Sequence, residues 1–565
     1  MPPLSRRELL VAAANASLLP LLPACGDSNL PQGASAAPGP LMPPTSALPQ
    51  VSFDHGVASG DPLQDAVILW TRVTPALDAT SEVPVRWRIA RDPALTEVVA
   101  EGLTSTTADR DFTVKVDATG LAAGGVYFYR FSVGEQQSPI GRTRTAPAGA
   151  TERLRLAFVT CSDYARGFFN VYRRIAERPD LQAVVHLGDY LYENGLQDAV
   201  RPQVPARETV SLADYRLRYA TLRGDADLQA LHRQHPVIWV WDDHEVANNA
   251  WQGGAGAHDA ATQGDFAVRR AHAFKAAHEW MPIRTPDASD LARIYRRFVF
   301  GDLADLLMID ARQVGRDEPA APNTLFAETV PVFTQRGDFA EPSRQILGVA
   351  QEQWLTDALA NSQTRWRLLG NQVYFSPLKL LGAPRALGTS LFLSNDKWDG
   401  YEPARDRVLA AIAASRNVVV MTGDAHEAYA FEVTADPNNP LAYEPITGTG
   451  SLAVEFVVTS TSTRGDGPTG DTATAALQSL PENAEQLLRL TNPHLKYYNN
   501  TLNGYVLLDI TAERVQAEFW FVPLVGALSA MESLGAVFSC AEGSNHLVAG
   551  TAASPADGDA PPPAP

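Results

Sequence analysis

The feature that most constrains the fold is an alternation that begins at Arg153, in which short apolar runs are separated by amphipathic stretches. The run at 154–159 has the composition of a buried strand, and 168–178 then places apolar side chains at helical spacing. Six further runs are predicted to be strands, at 183–187, 237–241, 306–309, 366–369, 418–421 and 456–459. This alternation indicates a layered α/β fold, in which ligands bind at the carboxyl ends of the strands.

Side chains able to bind metals follow four of these predicted strands. The four segments are Thr-Cys-Ser-Asp at 160–163, His-Leu-Gly-Asp-Tyr-Leu-Tyr-Glu at 186–193, Trp-Asp-Asp-His-Glu-Val at 241–246 with Asn248 and Asn249 just beyond, and Gly-Asp-Ala-His at 423–426. They lie far apart in the sequence, yet the ends of neighbouring strands meet at one edge of a sheet. Convergence of cysteine, aspartate, tyrosine and histidine at such an edge is the pattern of a multi-metal site.

The segment at 50–148 has a different character, because short strand patterns alternate there with turn signals. Val83, Val85, Trp87 and Ile89 alternate along one predicted strand, and a glycine pair at 124–125 precedes another. About a hundred residues of this kind predict an antiparallel sandwich of the fibronectin or immunoglobulin type. The segment contains no cluster of catalytic residue types, so we interpret it as a structural or binding module.

Size and charge limit the classes of function. The chain has 565 residues, of which 45% are hydrophobic and 19% charged, and this length predicts two domains with tails. Its net charge of −18 disfavours nucleic acid or an anionic membrane as a partner, and no nucleic-acid-binding surface is implied. Three cysteines do not make a disulfide framework. No internal apolar run reaches the roughly 20 residues of a membrane span, so we expect a soluble body.

The N-terminus has the pattern of an export signal. Paired arginines at 6–7 precede an apolar run at 11–22, as in a twin-arginine signal, although an ordinary basic leader is the alternative. The run ends at Cys25 in a sequence that resembles a lipobox, so residues 1–25 are predicted to be a signal with a lipid anchor at Cys25. A flexible linker at 26–49 and a disordered tail at 551–565 are predicted from their proline- and alanine-rich composition.

The strand-end segments resemble the signature of the calcineurin-like metallophosphatase superfamily, and in particular its PhoD-like alkaline phosphatase/phosphodiesterase family. The resemblance extends to Phe-Asp-His-Gly-Val-Ala-Ser-Gly-Asp-Pro at 53–62, Leu-Trp-Thr-Arg at 69–72 and Asn-Pro-His-Leu-Lys-Tyr-Tyr-Asn at 492–499. It therefore spans nearly the whole chain after the signal. It implies a four-layer αββα metallophosphatase core at 149–550, preceded by the small all-β domain.

The resemblance also implies a ligand set for Fe(3+) and Ca(2+). Asp189 is expected to bridge two cations, because one carboxylate has two oxygens. Tyr192 and Cys161 are expected to bind iron as phenolate and thiolate, with core packing as the alternative for each. Asp424 and His426 are expected to be ligands as well, His426 on the iron.

The third segment is expected to supply the second metal position and an acid. The resemblance implies that Asp243 is a ligand and that His244 lies beside the leaving group as an acid or charge stabiliser. Asn248 is expected to offer an amide oxygen to a metal, while the roles of Asp242, Glu245 and Asn249 stay open. Arg166 is expected either to grip the phosphoryl oxygens bidentately or to be a solvated loop residue.

Two polar pairs are further candidates. Asp310 and Arg312 are predicted to form a structural pair near the site, and Asn371 and Gln372 are candidates for another ligand or a phosphate contact.

Together these patterns predict an exported, metal-dependent hydrolase of phosphate mono- or diesters that uses a metal-activated hydroxide. The expected location is the periplasm, the cell surface or the medium. One alternative is a phosphodiesterase of the phospholipase D type on the same site. The other is a noncatalytic surface lipoprotein that uses the β domain as a binding module.

Overall fold

A computed structural model describes residues 49–76, 82–196, 198–324, 332–463 and 484–565. The predicted signal at 1–25, with Cys25, and the predicted linker up to residue 48 lie outside the described residues. Within the described ranges, no helix combines the length and apolarity needed to cross a bilayer.

The regular elements confirm a mixed α/β chain. The strands are β1 (Val51–Ser52), β2 (Val57–Gly60), β3 (Ala66–Arg72), β4 (Thr74–Pro75), β5 (Val83–Ala90), β6 (Val98–Thr106), β7 (Thr113–Thr119), β8 (Val126–Val133), β9 (Gln136–Gln137), β10 (Gly141–Arg144), β11 (Arg153–Val159), β12 (Ala183–His186), β13 (Pro236–Trp239), β14 (Ala250–Trp251), β15 (Gly254–Ala255), β16 (Arg296–Phe300), β17 (Ala304–Met308), β18 (Trp366–Asn371), β19 (Lys379–Leu381), β20 (Leu391–Phe392), β21 (Val418–Thr422), β22 (Ala428–Val433), β23 (Ala453–Val457), β24 (Leu495–Asn499), β25 (Asn503–Thr511), β26 (Arg514–Val522), β27 (Ser533–Ala541) and β28 (Leu547–Gly550). The helices are α1 (Asn170–Ala176), α2 (Leu212–Arg223), α3 (Ala226–Gln234), α4 (Ala260–Gln263), α5 (Phe266–Trp280), α6 (Val349–Asn361), α7 (Glu402–Ala413) and α8 (Ala484–Thr491).

Two large sheets organise the described chain. A ten-stranded sheet has the order β28-β27-β26-β25-β11-β12-β13-β2-β3-β7, and a seven-stranded sheet has the order β16-β17-β18-β21-β23-β22-β24. The neighbours β11, β12 and β13 are parallel, as are β17, β18, β21 and β23. The carboxyl ends of the parallel strands in each sheet therefore lie along a common edge.

Alternate side chains along β17 show how the seven-stranded sheet is packed. Leu306 and Met308 belong to the large hydrophobic cluster that also contains strands of the ten-stranded sheet. Leu307 lies in a second cluster with apolar residues of α6 and α7. Because side chains of a strand alternate between faces, one face packs with the other sheet and the other face packs with helices.

The N-terminal segment forms a sandwich of strands, but one of its layers belongs to the ten-stranded sheet. Five strands, β5, β6, β8, β9 and β10, form their own sheet, which shares a hydrophobic cluster with β3 and β7. However, β3 and β7 continue the ten-stranded sheet, because β2 pairs in parallel with β13 through Ser59–Pro236 and Gly60–Val237. One layer of this sandwich is therefore an extension of the sheet that carries the site, and the expected boundary near 148 does not separate two sheets.

The tail at 551–565, which the composition predicts to be disordered, forms hydrogen bonds with the body of the chain. Arg142 donates to the carbonyl oxygens of residues 561 and 562, each at 3.3 Å. Backbone amides of the tail donate to carboxylates of Glu518 (2.5 Å) and Asp180 (3.0 Å) and to the side chain of Gln234 (2.9 Å). Polar side chains of the body thus replace water around a backbone that forms no strand or helix after β28.

Candidate metal centre and active site

The loops that follow the parallel strands are held together by backbone contacts. The amide of Cys161 donates to the carbonyl of Gly188 at 3.2 Å, and the amide of Ser162 donates to the carbonyl of Asp189 at 2.8 Å. A Cβ on Gly188 would lie 2.5 Å from the Cβ of Asp242, and one on Gly423 would lie 2.5 Å from a side-chain oxygen of Thr160. These two glycines are therefore required for the close approach of the loops.

Left-handed backbone conformations concentrate at the same loops. Cys161, Asp189, Asn249, Asp424 and His426 have φ values of 55°, 56°, 56°, 62° and 58°. Such values are uncommon for residues with a Cβ, and they cluster where surrounding structure forces a side chain into a functional position. In this chain they aim the side chains of separate loops at one place.

Three sets of side chains, here called metal-sized groups, have potential ligand atoms close enough together to hold one metal ion. The first contains a thiol, a carboxylate and an imidazole. One potential ligand atom from each of Cys161, Asp189 and His426 lies within 4.8 Å of the others, and all three residues are buried. The Tyr192 hydroxyl is 3.1 Å from Asp189 Oδ2 and 3.1 Å from His426 Nε2. The Cys161 Sγ is 3.5 Å from Asp189 Oδ2. The four predicted ligands of the iron position are thus brought together.

Two more groups adjoin the first and share members with it. Asp189, Asp243 and His244 form one group, and Asp242, Asp243 and Asp424 form the other, and in each group the potential ligand atoms again lie within 4.8 Å of one another. Asp189 therefore belongs to the first and second groups, and Asp243 to the second and third. Asp242 Oδ2 and Asp243 Oδ1 are buried without a hydrogen-bond partner among the described residues. Unpartnered buried carboxylate oxygens are positions at which a cation would be stabilised.

His244 is held by a carboxylate that sequence reasoning did not assign. Glu193 Oε2 lies 2.7 Å from His244 Nδ1, and Glu193 Oε1 accepts the backbone amide of Asn248 at 2.8 Å. The imidazole ring lies 4.2 Å from the Tyr192 ring. With Nδ1 engaged by Glu193, Nε2 is the ring nitrogen available to a substrate.

Arg312 has a larger role than the predicted pairing with Asp310. Its buried guanidinium contacts the carboxylates of Asp242 (2.5 Å), Asp396 (2.6 Å) and Asp424. Only the backbone amide of Arg312 reaches the Asp310 carboxylate, at 2.9 Å. Asp310 and Arg312 are thus joined through the backbone, while three carboxylates at the strand ends attract the guanidinium.

Lys397 is a cation of the site that sequence reasoning missed. Its ammonium contacts Asp424 Oδ2, and it lines one cleft together with Asp189, Asp243, His244, Asn248, Asn249, Asp424 and His426. No strand-end motif precedes this lysine. The need for positive charge near so many acidic ligands was the only signal in the sequence.

The cause of the pKa shifts differs between the side of the cleft with Cys161 and Tyr192 and the side with Asp424 and His244. Burial, reinforced by the Asp189 carboxylate, raises the pKa values of the Cys161 thiol and the Tyr192 phenol well above their usual range. Burial also raises the pKa of Asp189 itself, and the Asp243 carboxylate adds to this effect. Burial lowers the pKa of His426 to about 4. Cys161, Tyr192 and Asp189 therefore hold protons unless a cation stabilises their ionised forms, whereas the His426 imidazole is neutral.

At Asp424 and His244, neighbouring charged side chains shift the pKa more than burial does. Burial alone would raise the pKa of Asp424, but Lys397 and Arg312 bring it below its usual value. Burial would lower the pKa of His244, but the carboxylates of Glu193 and Asp189 outweigh burial and raise it well above its usual value. A protonated His244 is therefore favoured in this environment.

Three expected contacts are not found at the cleft. Arg166 does not line it, and its guanidinium lies 4.0 Å from the Asp163 carboxylate. Asn371 and Gln372 bond to neighbouring loops, since Asn371 donates to the carbonyl of Val373 (2.5 Å) and Gln372 to that of Ile309 (2.8 Å). These amides stabilise the loops at the strand ends.

Comparison with known proteins agrees with this geometry. The family model described as PhoD-like phosphatase matches residues 156–519, and the model of its N-terminal domain matches 37–147. The chain is 34% identical over 507 residues to Alkaline phosphatase D of Bacillus subtilis (strain 168), covering 86% of this chain and 80% of that relative.

The chain belongs to the PhoD-like phosphatase family.

A solved structure of PhoD has the same fold, with a TM-score of 0.76 and 31% identity over 91% of this chain and 94% of that one. Family membership makes the chain a phosphatase and a hydrolase. The donor set fits the metal dependence of such an enzyme. Thiol, phenol, imidazole and carboxylate groups converge, and unpartnered carboxylate oxygens lie among them.

Proposed function

We propose that this chain is an exported alkaline phosphatase that hydrolyses phosphate monoesters, and diesters as well, at an Fe(3+)/Ca(2+) centre. The observation that carries the proposal is the position of Asp189, which belongs to two adjacent metal-sized groups. A carboxylate in this position offers one oxygen to each of two cations, as two-metal hydrolases require.

The donor types support a different cation for each side. Cys161, Tyr192, Asp189 and His426 offer two anionic donors beyond carboxylate, and this set suits a trivalent iron. On the other side Asp243 and Asp424 offer carboxylate oxygens, which are the ligands calcium prefers. Asn248 lines the cleft, so its amide oxygen is an additional calcium ligand in this proposal.

The residues of the chain position the ester and move its proton. Bound cations supply a water of lowered pKa and neutralise charge on the phosphoryl oxygens. The Lys397 ammonium lines the cleft and adds positive charge for the same oxygens. His244, protonated beside Glu193, donates from Nε2 to the departing alkoxide oxygen. Arg166 supports the loop after β11 in this scheme and does not bind substrate.

Packing supports the four-layer αββα arrangement as part of the proposal. The two sheets share one hydrophobic cluster, and α6 and α7 cover the outer face of the seven-stranded sheet. On the ten-stranded sheet, α1 and α3 contribute to the same large cluster.

Export by the twin-arginine route, with lipidation of Cys25, completes the proposal. The paired arginines at 6–7 support that route, which carries folded proteins and so allows metals to bind before export. Changing both arginines to lysine in the full chain is expected to retain the enzyme inside the cell. Undiminished export of that variant, measured by fractionation, would refute this part.

Exchange of Asp189 for asparagine tests the catalytic proposal. Asp189→Asn is expected to lose metal, measured by elemental analysis, and to lose at least about a thousandfold in kcat. The matched control is Asp310→Asn, because Asp310 is also buried but accepts from Trp241 at 2.8 Å outside the cleft. Full metal content and activity in Asp189→Asn would refute the shared-ligand assignment.

The same preparations separate the alternatives. Turnover of a phosphate monoester compared with a diester distinguishes an alkaline phosphatase from a phosphodiesterase of the phospholipase D type. A purified protein that contains no iron and cannot be reconstituted would support a noncatalytic lipoprotein.

A further inference from the structure

Two sequence motifs of the N-terminal segment, at 53–62 and 69–72, contribute no residue to the catalytic cleft. The second motif places Trp70 next to the end of α2, where Arg223 is the last helical residue. The Arg223 guanidinium lies 4.3 Å from the centre of the Trp70 ring. Arg223 is fully buried, with an exposed fraction of 0%. A charged group thus lies inside the hydrophobic contact between α2 and β3.

The charge of Arg223 has no counterion among the described residues. Its Nε, Nη1 and Nη2 atoms are all buried without a hydrogen-bond partner there, and no carboxylate oxygen lies within the 4.0 Å of an ion pair. The acids that follow in sequence are engaged elsewhere, since Asp225 pairs with Arg201 (2.5 Å) and Asp227 with Arg173 (2.8 Å). A guanidinium cannot lose its proton in a protein, so burial leaves the charge in place.

Aromatic and imidazole side chains without negative charge lie beside Arg223. The Tyr190 hydroxyl is 3.1 Å from His232 Nε2, and His232 Nδ1 is buried without a partner in the described chain. If the tyrosine hydroxyl donates to Nε2, the imidazole proton is on Nδ1, which becomes a second unpartnered donor. Burial, together with the charge of Arg223, lowers the pKa of His232 well below its usual value, so this histidine is neutral.

We propose that Arg223 and His232 form a binding site for a monovalent halide ion, which is chloride under ordinary conditions. Several unpartnered N–H donors around one uncompensated positive charge require an acceptor that carries negative charge. The face of Trp70 offers only a weak attraction to the guanidinium. The complete burial of Arg223 and His232 favours a monoatomic ion over a phosphate, which is larger and needs partners for four oxygens.

The site is distinct from the metal centre but adjoins it through Tyr190. That residue follows Asp189 directly, and its backbone amide donates to Glu245 at 2.7 Å. The halide therefore holds the base of the Asp189 loop in place by neutralising the charge beside the Tyr190 ring. The expected readout is stability of the folded holoenzyme.

Thermal unfolding of the holoenzyme tests the proposal. We expect Tm to be about 1–3 °C higher in sodium chloride than in sodium gluconate of equal ionic strength, because a ligand of the folded state raises Tm. Arg223→Met removes the charge at similar volume and is expected to abolish this difference. The matched control is Arg216→Met, on the same helix, because Arg216 already pairs with Glu279 at 2.7 Å; this variant is expected to keep the difference.

Equal Tm values in the two salts would overturn the proposal, as would a chloride response that persists in Arg223→Met. Diffraction from bromide-grown crystals of the unmodified chain is an independent measurement, so it does not depend on folding of the variant. We expect an anomalous peak within about 3.5 Å of the guanidinium nitrogens, the hydrogen-bond range extended for a large anion. Water alone at that place would overturn the proposal.

Discussion

Replacement of Glu193 by glutamine tests whether His244 protonates the leaving group. Glu193 accepts from two donors, His244 Nδ1 at 2.7 Å and the amide of Asn248 at 2.8 Å. Glutamine has one oxygen and one NH2 group in place of the two carboxylate oxygens of Glu193. Whichever way the amide is turned, its NH2 group faces one of the two donors, so one bond is lost.

The magnitude follows from the kind of bond that is lost. A hydrogen bond to a charged group contributes about 1.5–3 kcal/mol, which corresponds to about 10- to 150-fold in rate. Glu193→Gln also removes the strongest of the carboxylates that raise the pKa of His244, so less of the protonated acid is present. The loss applies to esters whose leaving group needs a proton. An alkyl phosphate is therefore expected to lose about 10- to 150-fold in kcat.

A nitrophenyl phosphate needs little protonation of its leaving group and is expected to lose less than about threefold. The assay compares kcat for the two substrates at equal metal content. Glu245→Gln is the matched control, because Glu245 accepts backbone amides of Asp189 (3.1 Å), Tyr190 (2.7 Å) and Asp242 (2.8 Å) and does not bond to the imidazole. The control is expected to slow both substrates by one factor. If Glu193→Gln does the same, proton donation by His244 is refuted.

Three further predictions concern metal content and stability. Cys161→Ser is expected to lose most of its iron by elemental analysis, because a hydroxyl is a poorer anionic donor than a thiol; retained iron would contradict thiolate ligation. Burial, aided by the charge of Arg405, lowers the pKa of Lys379 in the folded chain to about 8. Between about pH 8 and 10.5 the unfolded chain therefore binds more protons than the folded chain. The free energy of unfolding is expected to rise with pH over this range, by up to about 3 kcal/mol. Tm measured against pH is expected to rise over the same range, and Lys379→Met is expected to flatten this rise. Lys275→Met, at an exposed helix position, is expected to leave the rise unchanged. An unchanged slope of Tm against pH in Lys379→Met would contradict the reasoning. Deletion of 552–565 is expected to lower Tm by about 1–3 °C, because body side chains lose their bonds to the tail; an equal Tm would show that the tail contributes nothing.

Local patterns were sufficient to locate the strands that carry the site. The predicted runs at 183–187, 366–369 and 418–421 correspond to β12, β18 and β21 within one or two residues. Pairing between distant segments could not be predicted in this way. The link between β2 and β13 joins residues far apart in the chain, and no local signal in either strand specifies its partner. For the same reason the sequence did not predict that one sheet continues across the boundary between the two family domains.

The site was predictable where a motif follows a strand and not elsewhere. Asp189 and Asp243 were identified because each follows a buried strand, and the structure brings them into one cleft. Lys397 lies in a loop without such a pattern, and the carboxylate partners of Arg312, which does follow a strand, come from other loops. Arg166 was chosen for its proximity in sequence to Cys161, which does not determine the direction of a side chain. Sequence position thus predicts which loop a residue belongs to, while charge balance determines which residues face the cleft.

The distribution of cations within the chain explains why an added metal is needed at one particular place. Arg312 and Lys397 compensate Asp424, and Arg312 also compensates Asp242. Among the described residues, no lysine or arginine forms an ion pair with Asp189, whose neighbours include the thiol of Cys161. Burial keeps those groups protonated in the absence of a cation, so negative charge develops there only as metal binds. The chain therefore supplies positive charge to the carboxylate side of the cleft, and the side with sulfur and phenol donors is where we propose the trivalent metal.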